Sequence, residues 1–292
     1  WLVEKWIHQL GEEFTAELLQ ANNERPPLTI RTNTLKIDKQ KLIQILGKEG
    51  AKVSNGLHVE DALYVKDIGN IAELESFQNG YFQVQDESSM LAVRILDPKP
   101  GEFVLDLCAA PGGKSTYIAQ LMKNEGTVLA RDIYDHKIKL IQDHAARLGI
   151  HIIQTEIFDA AQFDPSLTEK ADKVLLDAPC SGLGIIRRKP EIKYSRHPED
   201  LKAIADLQWM ILKHAGRYVK KGGILVYSTC TINREENQDL IQKFMNQNTE
   251  FEISDVSAFL PATIKSDKNK MIQLFPNIHG TDGFFICRLK KK

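Results

Sequence analysis

The pattern of apolar and polar positions divides the chain near residue 75. Within residues 1–24, apolar side chains recur at helical spacing in two short stretches, the first anchored by Trp1, Trp6 and Leu10. Arg25-Pro26-Pro27 closes that region, because proline disfavours helix at the residue before it. Residues 28–35, LTIRTNTL, roughly alternate and predict a strand. Asp38 is a candidate cap for a helix over 39–49 that stops at Gly50. Short strands around 57–59 and 63–65 complete a small α+β unit.

The rhythm then changes. Residues 80–86 read as a strand that leads into a helix over 87–96. Strands follow at 103–108, 127–131, 151–154, 173–177, 224–229 and 284–289. Helices starting at Lys114 and over 136–148, 201–219 and 235–246 fall between them. Such alternation predicts an α/β, mostly parallel, doubly wound sheet with helices on both faces. The expected organisation is a small α+β subdomain over 1–75 followed by a catalytic domain over 76–292.

With 292 residues, 42% hydrophobic and 26% charged, the chain can bury a sizeable core. A net charge of -1 exerts no global pull on nucleic acid, so any such binding must rest on local patches. No apolar run approaches the roughly 18 residues of a membrane helix. No charged-then-apolar leader is visible either, so a cytoplasmic, monomeric protein without membrane contact is expected. Four cysteines without a C-x-x-C pair argue against structural zinc and against a disulfide framework, and no metal is expected. The start at Trp1 rather than methionine suggests that an upstream segment has been trimmed.

Three predicted strand ends carry the candidate chemistry. Cys180, in LLDAPCSG, and Cys230, in LVYSTCTINREEN, each follow an apolar β-branched run. In a doubly wound sheet the carboxyl ends of neighbouring strands open onto one ligand crevice, so two thiols delivered there suggest covalent chemistry. The third end, Asp106 to Lys114, places small residues and two glycines between a strand and a helix. That lets backbone N–H groups approach a ligand at a helix N-terminus. Asp132 ends the next strand and could accept from the two hydroxyls of a ribose. Asp159, past the third strand, could bind the exocyclic amine of an adenine. Lys114 could serve the carboxylate of an amino-acid moiety.

DLCAAPGGK, LLDAPCSG and YSTC-x4-EEN, in this order, resemble the RNA cytosine-5 methyltransferases that use S-adenosylmethionine. LTIRTNTLK, FQVQDESS, GIIRRKPEIK and DGFFIC extend the resemblance over nearly the whole chain, toward bacterial 16S ribosomal RNA enzymes of the RsmB/Sun (Fmu) type. The resemblance implies a class I S-adenosylmethionine methyltransferase (Rossmann-like) fold preceded by an RNA-binding subdomain. It implies cofactor contacts from Cys108, Ala109, Ala110, Pro111, Gly112, Gly113, Lys114, Asp132, Asp159 and Asp177. Phe158 departs from the glycine that relatives often carry there, and such enzymes often carry a further helical domain upstream.

The chemistry that the resemblance implies needs two thiols. Carbon 5 of cytosine is a poor nucleophile, and a thiolate adding at carbon 6 turns the ring into an enamine-like species whose carbon 5 can attack a methyl group. Asp177 could support ring nitrogen 3 if it is held protonated. Spacing alone does not decide which cysteine attacks. The DNA enzymes use a Pro-Cys cysteine, which nominates Cys180, whereas the RNA family uses the Thr-Cys cysteine, which nominates Cys230 with Cys180 aiding release. By that resemblance Cys230 is expected to attack, with Cys180 aiding release. Cys108 and Cys287 are expected to be structural.

Arg187, Arg188 and Lys189, with Lys193 and Arg196, form a basic run beside the Cys180 loop where phosphates could lie, and Tyr194 offers a stacking surface. By resemblance Arg31 and Asn33 belong to an RNA-contacting strand, and the tail at Lys290 to Lys292 is expected to be disordered. The target base must leave any helix to reach a thiol, so the expected substrate is an unpaired cytosine, most simply in 16S rRNA. A tRNA or 23S rRNA target, or a non-catalytic ribosome-assembly factor on the same fold, are the competing readings.

Overall fold

The computed structural model of the chain describes residues 1–268 and 270–292. Helices α1 (Leu2–Leu10) and α2 (Glu12–Asn23) form an N-terminal hairpin, followed by β1 (Leu28–Thr32), α3 (Lys39–Lys48), β2 (Lys52–Asn55) and β3 (Ala62–Lys66). The short α4 (Glu75–Gln78) precedes β4 (Phe82–Val84). Strands β1 to β4 make an antiparallel sheet in the order β2-β3-β1-β4, packed on α3 through Leu42, Leu46, Ile30, Leu63 and Phe82. Asp38 caps α3, its carboxylate accepting from the Lys41 N–H at 2.9 Å.

The larger unit runs α5 (Glu87–Leu96), β5 (Phe103–Asp106), α6 (Gly113–Leu121), β6 (Thr127–Asp132), α7 (Asp135–Leu148), β7 (Ile153–Ile157) and β8 (Ala171–Asp177). It continues through α8 (Ile192–Ser195), α9 (Pro198–Tyr218), β9 (Val219–Thr229), α10 (Gln238–Gln247), β10 (Phe251–Ile253), β11 (Ile272–Leu274), α11 (Pro276–His279) and β12 (Phe284–Lys291). The sheet order is β10-β12-β9-β8-β5-β6-β7, with β11 also paired to β12. Strands β5 to β9 are parallel to one another and β12 is antiparallel to β9.

Both faces of this sheet are buried, and its alternation shows how. Val104, Leu175, Val226 and Ile286 pack with α5 and α6, whereas Leu105, Val174, Leu176, Leu225 and Phe285 pack with α9 and α10. Period-2 side chains on a two-sided sheet produce the near-continuous apolar runs seen in the sequence. The chain leaves β5 toward β6 and β7, then returns to β8 on the other side of β5. That reversal opens a crevice at the carboxyl ends of β5 and β8, where such sheets bind ligands.

Several expectations are corrected. Residues 57–59 form no strand, because the N–H groups of Leu57, His58 and Val59 all donate to the Glu87 carboxylate. The hairpin partner of β3 is β2 instead. Strand β4, read as the opening of the larger unit, pairs with β1. Trp1 is 43% exposed, while Trp6 is the buried anchor of α1. The lysine tail is held in β12, where Lys291 reaches Glu169 at 2.8 Å and the Val219 carbonyl at 3.0 Å.

Candidate active site

Strands β8 and β9 are parallel neighbours in the register Asp177↔Ser228. Cys180 and Cys230 lie three and one residues past their respective strands, so the loops emerge side by side. The sulfurs stand 3.2 Å apart and share a hydrogen bond. The bond to Cys230, then burial, pushes the Cys180 thiol well above its ordinary value.

A buried carboxylate fixes this arrangement. Glu236 is fully buried and accepts from the Ser181 N–H at 2.9 Å, the Ser181 hydroxyl at 2.5 Å, Gln208 at 3.0 Å and Asn233 at 3.0 Å. It ties the Cys180 loop, the Cys230 loop and α9 together. Asn237 donates to the Thr231 carbonyl at 3.0 Å and accepts from the Thr229 hydroxyl at 2.6 Å. The sequence pattern gives no role to the second glutamate of the EEN motif. The signal was available only in part: Glu235 lies in the same motif, yet is exposed and pairs with Lys5 at 2.9 Å.

Glycines permit a further close approach. The Gly184 N–H donates to the Cys230 carbonyl at 3.0 Å, and the Gly283 N–H donates to the Gly184 carbonyl at 2.8 Å. A Cβ on Gly184 would overlap the backbone of Gly283, so three loops close on the thiols only because two side chains are missing.

Behind the thiols, Lys114 donates to Asp177 at 2.7 Å, and Ser228 donates to the other carboxylate oxygen of Asp177 at 2.8 Å. Burial alone would lower the Lys114 pKa, but the adjacent Asp177 raises it on balance. The Lys114 ammonium is thus held beside Asp177.

The Asp106–Lys114 loop turns from β5 into α6. Gly112 has φ +100°, and a Cβ there would stand 3.0 Å from the Ile141 backbone. Cys108 is pushed well above its ordinary pKa by burial and by nearby carboxylates, which suits a structural thiol. Cys287 is buried in the sheet and is likewise raised by burial. Asp132 ends β6, accepting weakly from the Ala110 N–H at 3.2 Å. Asp159 spends one oxygen on a turn, accepting from the Ala161 N–H at 2.9 Å. Asp106 is fully buried: one oxygen accepts from Ser115 at 2.7 Å and the other has no partner. Burial raises its pKa to about 7.

One cleft of about 700 Å³ is lined by Cys108, Ala110, Asp132, Asp159, Asp177, Cys180, Lys189 and Cys230. A neighbouring cavity of about 210 Å³ is lined by Ala109, Pro111, Gly113, Lys114, Asp106 and Gln85. The residues fit an adenosyl amino acid: acids at successive strand ends, a glycine turn open to backbone contact, and an unmet buried carboxylate oxygen at the amino-acid end. Phe158 also lines the cleft, with the Arg131 guanidinium 4.2 Å from its ring.

The expected RNA contacts divide. Arg31 and Asn33 are buried and bonded within the protein, which corrects their reading as RNA contacts. Arg31 donates to the Gly113 carbonyl at 2.7 Å and to Thr116 at 3.1 Å, while Asn33 donates to the Gly80 and Leu148 carbonyls at 2.8 and 2.9 Å. They join the small sheet to the large unit. Arg187 and Arg188 converge on Asp282 at 3.0 and 2.6 Å, and Arg188 also meets Asp86 at 2.7 Å, so their charge is largely answered. Lys189 and Tyr194 remain exposed beside the cleft.

The fold and the crevice together define a Rossmann-like methyltransferase architecture. More narrowly, the chain belongs to the RsmB/F family of 16S rRNA methyltransferases, whose profile matches residues 93–290, and a profile for the ferredoxin-like domain of the RsmF/B-like enzymes matches residues 1–72. It is 44% identical to a probable ribosomal RNA small subunit methyltransferase B of Bacillus subtilis, over 100% of this chain and 66% of that protein. A tRNA (cytosine(72)-C(5))-methyltransferase of Pyrococcus horikoshii is 35% identical over 84% of this chain and 61% of its own length. The solved structure of NSun6 from Pyrococcus horikoshii with SFG, an S-adenosylmethionine analogue, matches at TM-score 0.89 and 27% identity, covering 99% of this chain and 97% of that one. The chain thus spans just under two thirds of the length of these two curated relatives. Among the described residues no helix is long and apolar enough to cross a membrane.

Proposed function

We propose that this chain carries the catalytic unit of an S-adenosylmethionine-dependent RNA cytosine-5 methyltransferase that modifies an unpaired cytosine of 16S rRNA through a cysteine–carbon 6 adduct. The observation that carries the reading is the pair of sulfurs 3.2 Å apart at the switch-point crevice, beside the Lys114–Asp177 pair. Residues Cys108 to Lys114, Asp132, Asp159 and Asp177 hold the cofactor, which supplies an electrophilic methyl group when bound.

Cys230 is the nucleophile, as the Thr-Cys cysteine that the RNA family uses, with the Cys180 sulfur 3.2 Å from it. Its addition at carbon 6 makes carbon 5 nucleophilic. The ammonium of Lys114, aligned by Asp177, offers a hydrogen bond to the polar edge of the pyrimidine as negative charge develops there. After methyl transfer, Cys180, as a thiolate that has given its proton to solvent, takes the carbon-5 proton; the carbon 5–carbon 6 double bond re-forms and the carbon 6–sulfur bond breaks, releasing Cys230 as a thiolate. The Bacillus subtilis relative supports a small-subunit target. The tRNA enzyme, 35% identical, supports a tRNA target as the second reading.

The test is incubation with RNA and S-adenosylmethionine followed by denaturing electrophoresis. Cys180→Ala is expected to accumulate a protein–RNA adduct, and Cys230→Ala to form none and transfer no methyl group. Normal turnover by Cys230→Ala would reverse the assignment. Bisulfite sequencing of RNA from cells lacking the gene names the cytosine, and loss of a tRNA mark instead of a 16S mark would overturn the target.

A further inference from the structure

Gln85 has no part in the roles assigned so far. It lies just past β4, its backbone N–H donating to the Thr29 carbonyl at 3.1 Å, and its side chain enters the smaller cavity beside Asp106 and Lys114. The residue is 8% exposed, and its amide nitrogen has no hydrogen-bond partner. Its amide oxygen accepts from the Arg31 guanidinium. An arginine can only donate, so the oxygen must face Arg31 and the NH₂ group must face the cavity. The nitrogen would stand 3.8 Å from a Cβ built on Gly113, which puts it at the N-terminus of α6.

The cavity therefore presents complementary unmet groups. On one side stand the amide NH₂ of Gln85 and the first N–H groups of α6, which lack intrahelical partners and favour an anion. On the other is the unpartnered oxygen of Asp106, which calls for a donor. Buried polar groups are normally satisfied, and a zwitterionic α-amino acid satisfies both.

We propose that Gln85 is a cofactor-binding residue whose amide NH₂ holds the carboxylate of the amino-acid end of S-adenosylmethionine, with Arg31 as the positioning residue that fixes the amide's orientation. This rests on the cofactor reading above. The small N-terminal sheet, rather than the glycine loop alone, then completes the cofactor site. It also gives the buried Arg31 a use beyond joining the two units.

Calorimetry on the full chain tests this with two ligands: S-adenosylhomocysteine, which has the amino-acid end, and 5′-methylthioadenosine, which lacks it. Gln85→Met removes the donor at similar volume and is expected to weaken S-adenosylhomocysteine by about tenfold to a hundredfold, the range for a hydrogen bond to a charged group. Gln85→Glu keeps an acceptor for Arg31 but repels a carboxylate, and is expected to weaken it further. Neither change should alter 5′-methylthioadenosine binding. Arg31→Lys gives up the planar fork and is expected to lower the same ratio of affinities by a smaller factor. Unchanged S-adenosylhomocysteine binding in both Gln85 variants, or equal losses for both ligands, would overturn the assignment. A wild-type chain that binds neither ligand would remove the cofactor reading and this one with it.

Discussion

The two halves of the crevice differ in how their polar groups are employed. Around the thiols, Glu236 accepts four close hydrogen bonds and Asn237 closes the remaining loop carbonyl; the amide oxygens of Gln208 and Asn233 are unpartnered there, but neither residue lines the cleft. Around the glycine turn, one oxygen of Asp106 and the nitrogen of Gln85 are buried without partners. A carboxylate shared by four donors rigidifies what it joins, whereas an unmet buried group that lines a cavity is costly until something binds it. The first half is scaffold for reacting atoms already in place. The second is a mould for a molecule that arrives.

The sharpest way to separate the halves is Cys230→Ala, which should leave S-adenosylhomocysteine affinity unchanged in calorimetry while methyl transfer to RNA becomes undetectable. Next in size is Glu236→Ala. It strands the Ser181, Gln208 and Asn233 donors and should lower stability by about 3 kcal/mol, seen as a melting temperature about 6–10 °C lower. Methyl transfer should fall with it even at permissive temperature, because the sulfurs lose their shared anchor.

The mould half should respond to pH. Asp106 titrates near 7 in the ligand-free protein, above its unfolded value, so as pH rises from about 4 to 7 it withdraws a stabilising contribution. Ligand binding runs the other way, because an ammonium needs the carboxylate form. S-adenosylhomocysteine affinity should therefore rise with pH and level off above about 7, approaching tenfold per unit below it. Asp106→Asn should abolish that slope in a calorimetric pH series, and a slope that survives would locate the titration elsewhere.

The smallest effects are expected on the basic run. Replacing Lys189 and Lys193 by alanine should weaken RNA binding and flatten its salt dependence by about 1.4 in the log–log slope, at roughly 0.7 per charge on single strands. Tyr194→Ala should remove about 1–3 kcal/mol if a base stacks there. Filter-binding titrations at several salt concentrations check both. Arg187→Ala should chiefly lower the melting temperature, since that side chain is occupied by Asp282.

Much of the fold was legible because a two-sided parallel sheet imprints strong local patterns. Helices α5, α7 and α9 and strands β5, β8 and β12 fall close to where periodicity put them. The elements that were missed, β2, α4, α8, β10, β11 and α11, are at most four residues long. They are too short to show a period, and the three strands exist because a neighbour supplies the ladder. Strand β7 was predicted two residues early, since its polar positions leave the register to its pairing with β6.

Sequence alone determined the kinds of residue placed at each strand end: a glycine turn, acids after successive strands, and two thiols after apolar runs. Tertiary structure alone decided which ends are neighbours. Pairing of β8 with β9 brings sulfurs fifty residues apart in the chain to 3.2 Å. It also decided that Glu236 is buried while Glu235 is not, and that Arg31 turns inward to orient Gln85 rather than outward to RNA. The physical reason is that periodicity reports which face of an element is covered, whereas the identity of the covering group depends on contacts made across the whole chain.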